Sequence, residues 1–179
     1  MGHTILVLGG ARSGKSAFAQ RLASTLKEPV VYVATATAGD EEMRTRIARH
    51  RRMRPKSWRT VEVPVGLSGS VLRIAGRART LVIDCLSLYV ANLLEPFSDN
   101  PTHPAAARAI LKEVRAVLRE LRRWKGTVIV VSNEVGQGVV PSTPLGRAYR
   151  DILGEANQLV AKQAEEVYWM VAGVPVRVK

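Results

Sequence analysis

The sequence has 179 residues, of which 46% are hydrophobic, and its mean hydropathy is zero. These values exclude a disordered chain, and with no apolar run near the roughly 18 residues of a membrane span they predict no membrane insertion. The 27 basic residues against 15 acidic ones give a net charge of +12, which is typical either of a polyanion-binding protein or of a basic protein with a site for phosphates.

Short apolar runs alternate with helical patterns along the chain. The runs lack polar alternation, as expected for strands covered on both faces, and they span residues 5–8, 30–33, 81–83 and 128–131. The helical patterns span residues 16–26, 41–51, 86–94, 103–124 and 145–165. Residues 63–70 and 96–104 look irregular, and residues 56–62 lead into a short extra strand. Strands that alternate with helices predict an α/β fold, a parallel sheet with helices on both faces.

The last two apolar runs, residues 167–171 and 174–178, flank Ala172 and Gly173. This spacing predicts a closing hairpin at one edge of the sheet. The length predicts a single domain over residues 1–179. The lone Cys85 cannot form an internal disulfide, and the N-terminal residues run into the first strand without a leader pattern. We therefore expect a reduced, cytoplasmic setting.

The first strand is followed at once by a complete phosphate-loop motif, G-x-x-x-x-G-K-S. Its residues are Gly9, Gly10, Ala11, Arg12, Ser13, Gly14, Lys15 and Ser16. Glycines allow backbone N–H groups to turn toward phosphate oxygens, and the helix that follows presents its positive N-terminal end. We expect Lys15 to reach the β- and γ-phosphates and the Ser16 hydroxyl to ligate Mg²⁺.

A phosphate loop also requires a carboxylate at the end of a neighbouring strand, and Asp84 directly follows the run 81–83. Two roles are open for it. Asp84 ligates the magnesium shell, or it caps the helix that begins near residue 86. Because a phosphate loop precedes it in the chain, the pattern favours the metal role.

His50 lies among arginines, with eight basic residues between Arg44 and Arg59. In a helix, Arg46, Arg49 and His50 share one face. The surrounding positive charge disfavours the imidazolium, which predicts a neutral, nucleophilic His50 at neutral pH. A histidine can attack phosphorus and carry a covalent intermediate, while the arginines stabilise the departing pyrophosphate. A purely structural histidine remains the alternative.

The sequence resembles the bifunctional adenosylcobinamide kinase / adenosylcobinamide-phosphate guanylyltransferase family of cobalamin biosynthesis over nearly its whole length. The matching segments are residues 9–16, 32–36, 40–43, 46–47, His50, 54–55, 58–62, 84–86, 92–94, 132–141, 150–154 and 157–158. The Gly-Gly-Ala-Arg-Ser-Gly-Lys-Ser loop and the Asn-Glu-Val-Gly block at 133–136 are much more specific than a generic phosphate loop.

The resemblance implies two reactions: phosphorylation of adenosylcobinamide by ATP or GTP, then transfer of GMP from GTP to that phosphate through a guanylyl-histidine at His50. It also implies a RecA-like sheet, a homotrimer, and Lys15 beside His50 in catalysis. The nucleotide contacts that it implies are residues 9–16 together with Ala34, Thr35, Ala36, Arg51, Arg52, Met53, Arg54, Glu62 and Asp84. Mg²⁺, held by Ser16 and Asp84, is the implied cofactor.

Two positions depart from the family pattern. Ala36 stands where serine is common, and Arg49 stands where some members carry a second histidine. No motif marks the residues that contact the corrinoid acceptor, although Asn133 and Glu134 follow a strand end where ligands of open sheets gather.

The residues alone are also compatible with two other functions. One is a plain small-molecule kinase with a structural His50. The other is a basic nucleic-acid-binding ATPase or regulatory module, which the scarcity of aromatic residues (5%) disfavours because few rings are available to stack on bases. The spacing of Arg108, Lys112, Arg115, Arg119 and Arg122 places a second basic stripe on one helix face, which predicts either a solvated surface or a binding surface.

Overall fold

The computed structural model describes residues 2–179, and for Arg46 it describes the backbone only. Seven strands form one sheet. They are β1 (His3–Gly9), β2 (Val30–Ala34), β3 (Arg59–Glu62), β4 (Thr80–Asp84), β5 (Thr127–Asn133), β6 (Glu166–Val171) and β7 (Val174–Arg177).

Six α-helices connect the strands. They are α1 (Lys15–Ser24), α2 (Glu41–Arg52), α3 (Val71–Ala75), α4 (Leu86–Leu94), α5 (Pro104–Arg123) and α6 (Pro144–Gln163), and a short 3₁₀ helix covers Glu95–Phe97. Helices α2, α5 and α6 begin at side-chain caps from Asp40, His103 and Thr143, each of which accepts a hydrogen bond from a backbone N–H of the first turn. Each of these three helices therefore begins where the sequence supplies a capping side chain.

The strand order is β3-β2-β4-β5-β1-β6-β7. Every pairing is parallel except that of β6 with β7, which is antiparallel. Alternate strand residues point to opposite faces of the sheet. Leu6, Leu81 and Val130 pack with helices α3–α6 on one face, whereas Val7 and Val131 pack with α1 on the other. The result is a three-layer α/β fold.

The predicted fold class is confirmed: a mostly parallel sheet with helices on both faces and a C-terminal edge hairpin. The prediction missed α3, which lies just after the segment 63–70. Five residues make little more than one turn and carry no readable period. The single-domain assignment stays a prediction. Within the described residues no helix is both long and apolar enough to cross a membrane.

Candidate active site

Five neighbouring strands present their carboxyl ends along one edge of the sheet. The last residues of β1 to β5 are Gly9, Ala34, Glu62, Asp84 and Asn133. In open α/β sheets, ligands bind at this edge. Four of these five residues were predicted as nucleotide contacts, and Asn133 was noted for its position at a strand end without a role.

The phosphate loop leaves β1 and closes on itself before α1. Arg12 and Gly14 have positive φ angles of 55° and 89°, and the second lies in the left-handed region that glycine adopts readily. Lys15 is only 8% exposed, and its Nζ donates to the carbonyl of Gly10 at 2.9 Å. The ammonium group is thus held across the loop, where phosphate oxygens would bind.

The turn of the C-terminal hairpin contacts the phosphate loop. The N–H of Gly173 donates to the carbonyl of Ser13 at 3.0 Å. A Cβ on Gly14 would lie 3.3 Å from the Cα of Gly173, which is closer than ordinary contact. The β6–β7 turn therefore fixes the loop as well as closing the sheet.

A cavity of about 660 Å³ lies between the phosphate loop and α2. We call it the outer cavity. From the loop side it is lined by Arg12, Ser13, Gly14, Lys15, Ser16 and Ala17, and from the α2 side by Glu41, Glu42, Thr45, Arg49, His50 and Met53. Helix α2 is placed by its cap, because Asp40 Oδ1 accepts from the N–H of Met43 at 2.7 Å.

A second cavity of about 190 Å³ lies over the strand ends, and we call it the inner cavity. Its lining includes Lys15, Ser16, Tyr32, Ala34, Ala36, Ala38, Met43, Ile47, His50, Arg51, Arg54, Glu62, Asp84, Cys85, Leu88 and Asn133. Lys15, Ser16 and His50 line both cavities. The histidine and the phosphate-loop lysine therefore border a common space.

The charge around His50 is more balanced than the sequence suggested. Among the side chains that the structure describes, five cationic ones line the two cavities, Arg12, Lys15, Arg49, Arg51 and Arg54, but so do four acidic ones, Glu41, Glu42, Glu62 and Asp84. The arginines around His50 are visible in the sequence, whereas the two glutamates reach the outer cavity only because the first turn of α2 packs beside the phosphate loop. The Arg46 side chain, predicted on the same face as His50, lies outside the described part.

Asp84 is held by a buried tyrosine. The Tyr32 hydroxyl donates to Asp84 Oδ2, and burial, with the nearby Asp84 charge, raises the pKa of Tyr32 well above its usual value. The phenol is therefore a permanent donor. The guanidinium of Arg54 lies 3.6 Å from the Tyr32 ring centroid, in a cation–π contact. The N-cap of α4 is Cys85, which removes the helix-cap alternative for Asp84.

Thr35 and Asn92 fix the backbone beside Asp84. Thr35 is fully buried; its Oγ1 donates to the Cys85 carbonyl at 2.7 Å and accepts from the Cys85 N–H at 2.8 Å. Asn92 Nδ2 donates to the carbonyls of Thr35 and Pro64 at 2.8 and 3.0 Å. Burial raises the pKa of the Cys85 thiol, which makes it a poor nucleophile although it lines the inner cavity.

The two predicted metal ligands, Ser16 and Asp84, both line the inner cavity. Tyr32 occupies Asp84 Oδ2, and one carboxylate oxygen remains. No cluster of three or more His, Cys, Asp or Glu able to hold a metal occurs among the described residues. Mg²⁺ needs no such cluster, since it is bound through one or two protein oxygens, substrate phosphates and water. The residues present fit Mg²⁺.

Most of the predicted contact residues border the two cavities. Arg12, Ser13, Gly14 and Met53 line the outer one, and Ala34, Ala36, Arg51, Arg54, Glu62 and Asp84 line the inner one, with Lys15 and Ser16 in both. Five other predicted residues, all within the described chain, line neither cavity: Gly9, Gly10, Ala11, Thr35 and Arg52. Of these, Gly9 and Gly10 belong to the turn of the phosphate loop, and Thr35 hydrogen-bonds the backbone of Cys85 beside Asp84.

The sequence prediction missed Tyr32 as a site residue. It belongs to an all-buried strand, and a tyrosine in such a run indicates only core packing. The prediction also missed the cavity roles of Glu41 and Glu42, which read as helix-start residues. Asn133, mentioned without a role, does line the inner cavity, whereas Glu134 Oε1 instead accepts from the N–H of Gly136 at 2.5 Å.

Residues 5–178 match the sequence profile of the family described as cobinamide kinase / cobinamide phosphate guanyltransferase. The chain belongs to this family. It is 45% identical to the bifunctional adenosylcobalamin biosynthesis protein CobP of Pseudomonas aeruginosa, over 97% of this chain and 96% of that protein. It is 38% identical to the bifunctional adenosylcobalamin biosynthesis protein CobU of Escherichia coli, over 98% and 99%, and 37% identical to that of Salmonella typhimurium over the same shares.

Solved structures with a similar fold are more distant. A KaiC-like protein of Pyrococcus horikoshii superposes with a TM-score of 0.51 at 17% identity, over 93% of this chain and 70% of that one. An ATPase of a bacterial type III secretion system gives 0.56 at 13% identity, over 96% of this chain and 51% of the other. At these identities the likeness concerns the fold alone.

Proposed function

We propose that this protein phosphorylates adenosylcobinamide with ATP or GTP and then transfers GMP from GTP to the product, giving adenosylcobinamide-GDP and pyrophosphate. The observation that carries the proposal is that His50, Lys15 and Ser16 border both cavities, in a chain of the cobinamide kinase / cobinamide phosphate guanyltransferase family. A kinase needs only the loop, whereas a nucleotidyltransferase with a covalent step needs a nucleophile beside it.

In the first reaction, the aminopropanol hydroxyl oxygen of adenosylcobinamide attacks the γ-phosphorus. A P–O bond forms, the bond to the bridging oxygen breaks, and the nucleoside diphosphate leaves while the hydroxyl proton is lost. Lys15 is positioned across the loop to balance charge on the β- and γ-phosphates, and the loop N–H groups bind their oxygens. Ser16 and Asp84 would hold Mg²⁺, which would further neutralise phosphate charge.

In the second reaction, a ring nitrogen of His50 attacks the α-phosphorus of GTP. A P–N bond forms, the bond to the β-phosphate oxygen breaks, and pyrophosphate departs. An oxygen of adenosylcobinamide phosphate then attacks the same phosphorus, the P–N bond breaks, and His50 is regenerated. Arg12 and Arg49, which line the outer cavity with His50, are suited to bind the pyrophosphate charge.

The remaining contacts follow from the lining of the inner cavity. We assign Arg51, Arg54 and Glu62 to the nucleotide, with the exposed Glu62 carboxylate accepting N–H or O–H groups of base or ribose. We also propose that one site serves both reactions, because Lys15, Ser16 and His50 belong to both cavities. A cytoplasmic setting, a homotrimeric assembly, a single domain and the absence of nucleic-acid binding remain predictions.

The covalent step is tested by incubating the protein with α-³²P-GTP. We expect an acid-labile, alkali-stable protein label that is absent from His50→Asn. A matched control is His103→Asn. His103 is the N-cap of α5, and asparagine also caps helices well, so the control makes the same chemical change without loss of the cap. This control retains the label. Kinase activity without any labelling in the wild type would instead favour the plain kinase with a structural His50.

A further inference from the structure

A second concave surface lies at the opposite end of the strands, between α5 and α6. It is a groove of about 480 Å³ lined by Gly2, Thr4, Arg115, Leu118, Arg119, Arg122, Leu159, Lys162, Gln163 and Glu165. Its floor is formed by the buried Leu118 and Thr4 and the half-buried Leu159. Gln163 Nε2 donates to the Leu118 carbonyl at 3.1 Å and ties the two helices together beneath it.

The groove carries a strong excess of positive charge. Arg115, Arg119 and Arg122 project from successive turns of α5, and Lys162 projects from α6. None of these four side chains makes an ion pair or hydrogen bond with another described residue. The single carboxylate, that of Glu165, already accepts the N–H of Thr4 at 2.6 Å. The cations are therefore available to an anion from solution.

The groove is separate from the candidate active site. Thr4 lies at the start of β1 and Gly9 at its end, and five strand residues extend roughly 17 Å. The two sites share no lining residue among those described. A ligand in the groove therefore does not touch the phosphate loop.

We propose that this groove binds an anion with two or more linked phosphate groups, distinct from the nucleotide at the phosphate loop. Guanidinium groups bind phosphate oxygens through paired N–H donors, and three of them on one face of α5 can reach linked phosphate groups together. The cavity volume falls in the range of small-molecule sites. Three of the five residues of the basic stripe on α5 line the groove, and the sequence alone did not decide whether that stripe is a solvated surface or a binding surface. Because the surface is concave, it is better suited to binding than an ordinary solvated helix face.

The dimensions favour a small oligophosphate over nucleic acid. From Arg115 to Arg122 the helix rises about 10 Å, which suits a short phosphate chain. Among the residues that line the groove there is no aromatic side chain to stack on a base. The apolar floor offers a contact for the organic part of a nucleotide, so free tripolyphosphate and ATP are separate arms of the test.

The test is calorimetric titration of the full-length protein with sodium tripolyphosphate, repeated with ATP. We expect two sites per chain in the wild type. The variant Arg115→Gln/Arg119→Gln/Arg122→Gln loses one site, and Arg119→Gln alone binds there about tenfold more weakly. Tighter binding of ATP than of tripolyphosphate at the groove would identify a nucleotide as the natural class, and the reverse order an inorganic oligophosphate.

The matched control removes three charges from the same helix outside the groove, as Arg108→Gln/Lys112→Gln/Arg123→Gln, and it keeps both sites. Lys15→Ala keeps the groove site whatever happens at the phosphate loop, so failure of the proposed activity is distinguishable from failure here. The proposal would be overturned if the groove variant still binds at two sites. It would also be overturned if the control variant loses a site to the same extent. A DNA duplex that binds the groove and resists displacement by tripolyphosphate would overturn it too.

Discussion

Tyr32 connects two charged groups of the candidate active site. Its hydroxyl donates to Asp84, and its ring supports the guanidinium of Arg54 on the segment that follows α2. The ring also stacks with that of Trp58 at a centroid distance of 6.5 Å. Because the phenol is buried and its pKa is raised, it cannot exchange its donor role for a charge near neutral pH. We infer that Tyr32 orients the carboxylate assigned to Mg²⁺.

The change Tyr32→Phe retains the ring and removes only the donor. We expect the Mg²⁺ concentration needed for half-maximal activity to rise by about fivefold to tenfold in both reactions, since Asp84 loses the bond that orients it. Nucleotide binding without Mg²⁺ should change little because the Arg54 contact remains. Both quantities are measured by titration of the purified variant.

Tyr89→Phe is the matched control for this experiment. The Tyr89 hydroxyl also donates to a carboxylate, Glu113 Oε1, at 2.6 Å, but in the core beneath α4. Tyr89→Phe should lower the free energy of unfolding without changing the Mg²⁺ concentration needed for half-maximal activity. An equal shift in the two variants would contradict the orienting role of Tyr32.

Glu113 of α5 anchors the segment that connects β3 to α3. Its Oε1 accepts from Tyr89 and from the N–H of Ser68 at 2.9 Å, and its Oε2 accepts from the Ser68 hydroxyl. Burial raises the pKa of Glu113, but the hydrogen bonds from Ser68 and Tyr89 outweigh it and leave the pKa below its ordinary value of 4.5. This segment also includes Pro64, which Asn92 ties to the strand end of β2.

A depressed carboxyl pKa stabilises the fold above the unfolded value, and the stabilisation is lost as pH falls through the folded value. Glu113→Gln removes the charge that accepts these hydrogen bonds; because the carboxylate is only partly buried and solvent screens it, the free energy of unfolding should fall by about 1 kcal/mol at pH 7. The difference from wild type should shrink as pH falls below about 4.5. Urea denaturation at pH 7 and at pH 3.5 measures both. Glu155→Gln, an exposed change on α6, should show no difference, and a penalty for Glu113→Gln that does not vary with pH would refute the charge argument.

The elements themselves were largely predictable where apolar periodicity and caps agree. Helix α4 spans Leu86–Leu94, as its pattern predicted, and α2 starts at Glu41, where Asp40 provides the cap. The prediction failed at α3, which is too short to show a period. Hydrogen bonds such as those of Glu113 were also beyond the sequence, because they join residues tens of positions apart.

The motif and the family resemblance predicted the residues of the candidate nucleotide site, but they did not predict which other side chains surround it. The loop, Asp84 and Glu62 meet because β1 to β4 end at one edge of the sheet, which a parallel arrangement implies. The strand order and the placement of α2 against the loop depend on long-range packing. For that reason the glutamates of the outer cavity and the distal groove became visible only in three dimensions.

The most direct test of the central claim follows the guanylyl group through the second reaction. Protein labelled with α-³²P-GTP is freed of nucleotide and then mixed with adenosylcobinamide phosphate. If His50 carries GMP in a site shared with the phosphate loop, the label leaves the protein and appears in adenosylcobinamide-GDP within one turnover. Label that stays on the protein, or that is released only as free GMP, would contradict the claim.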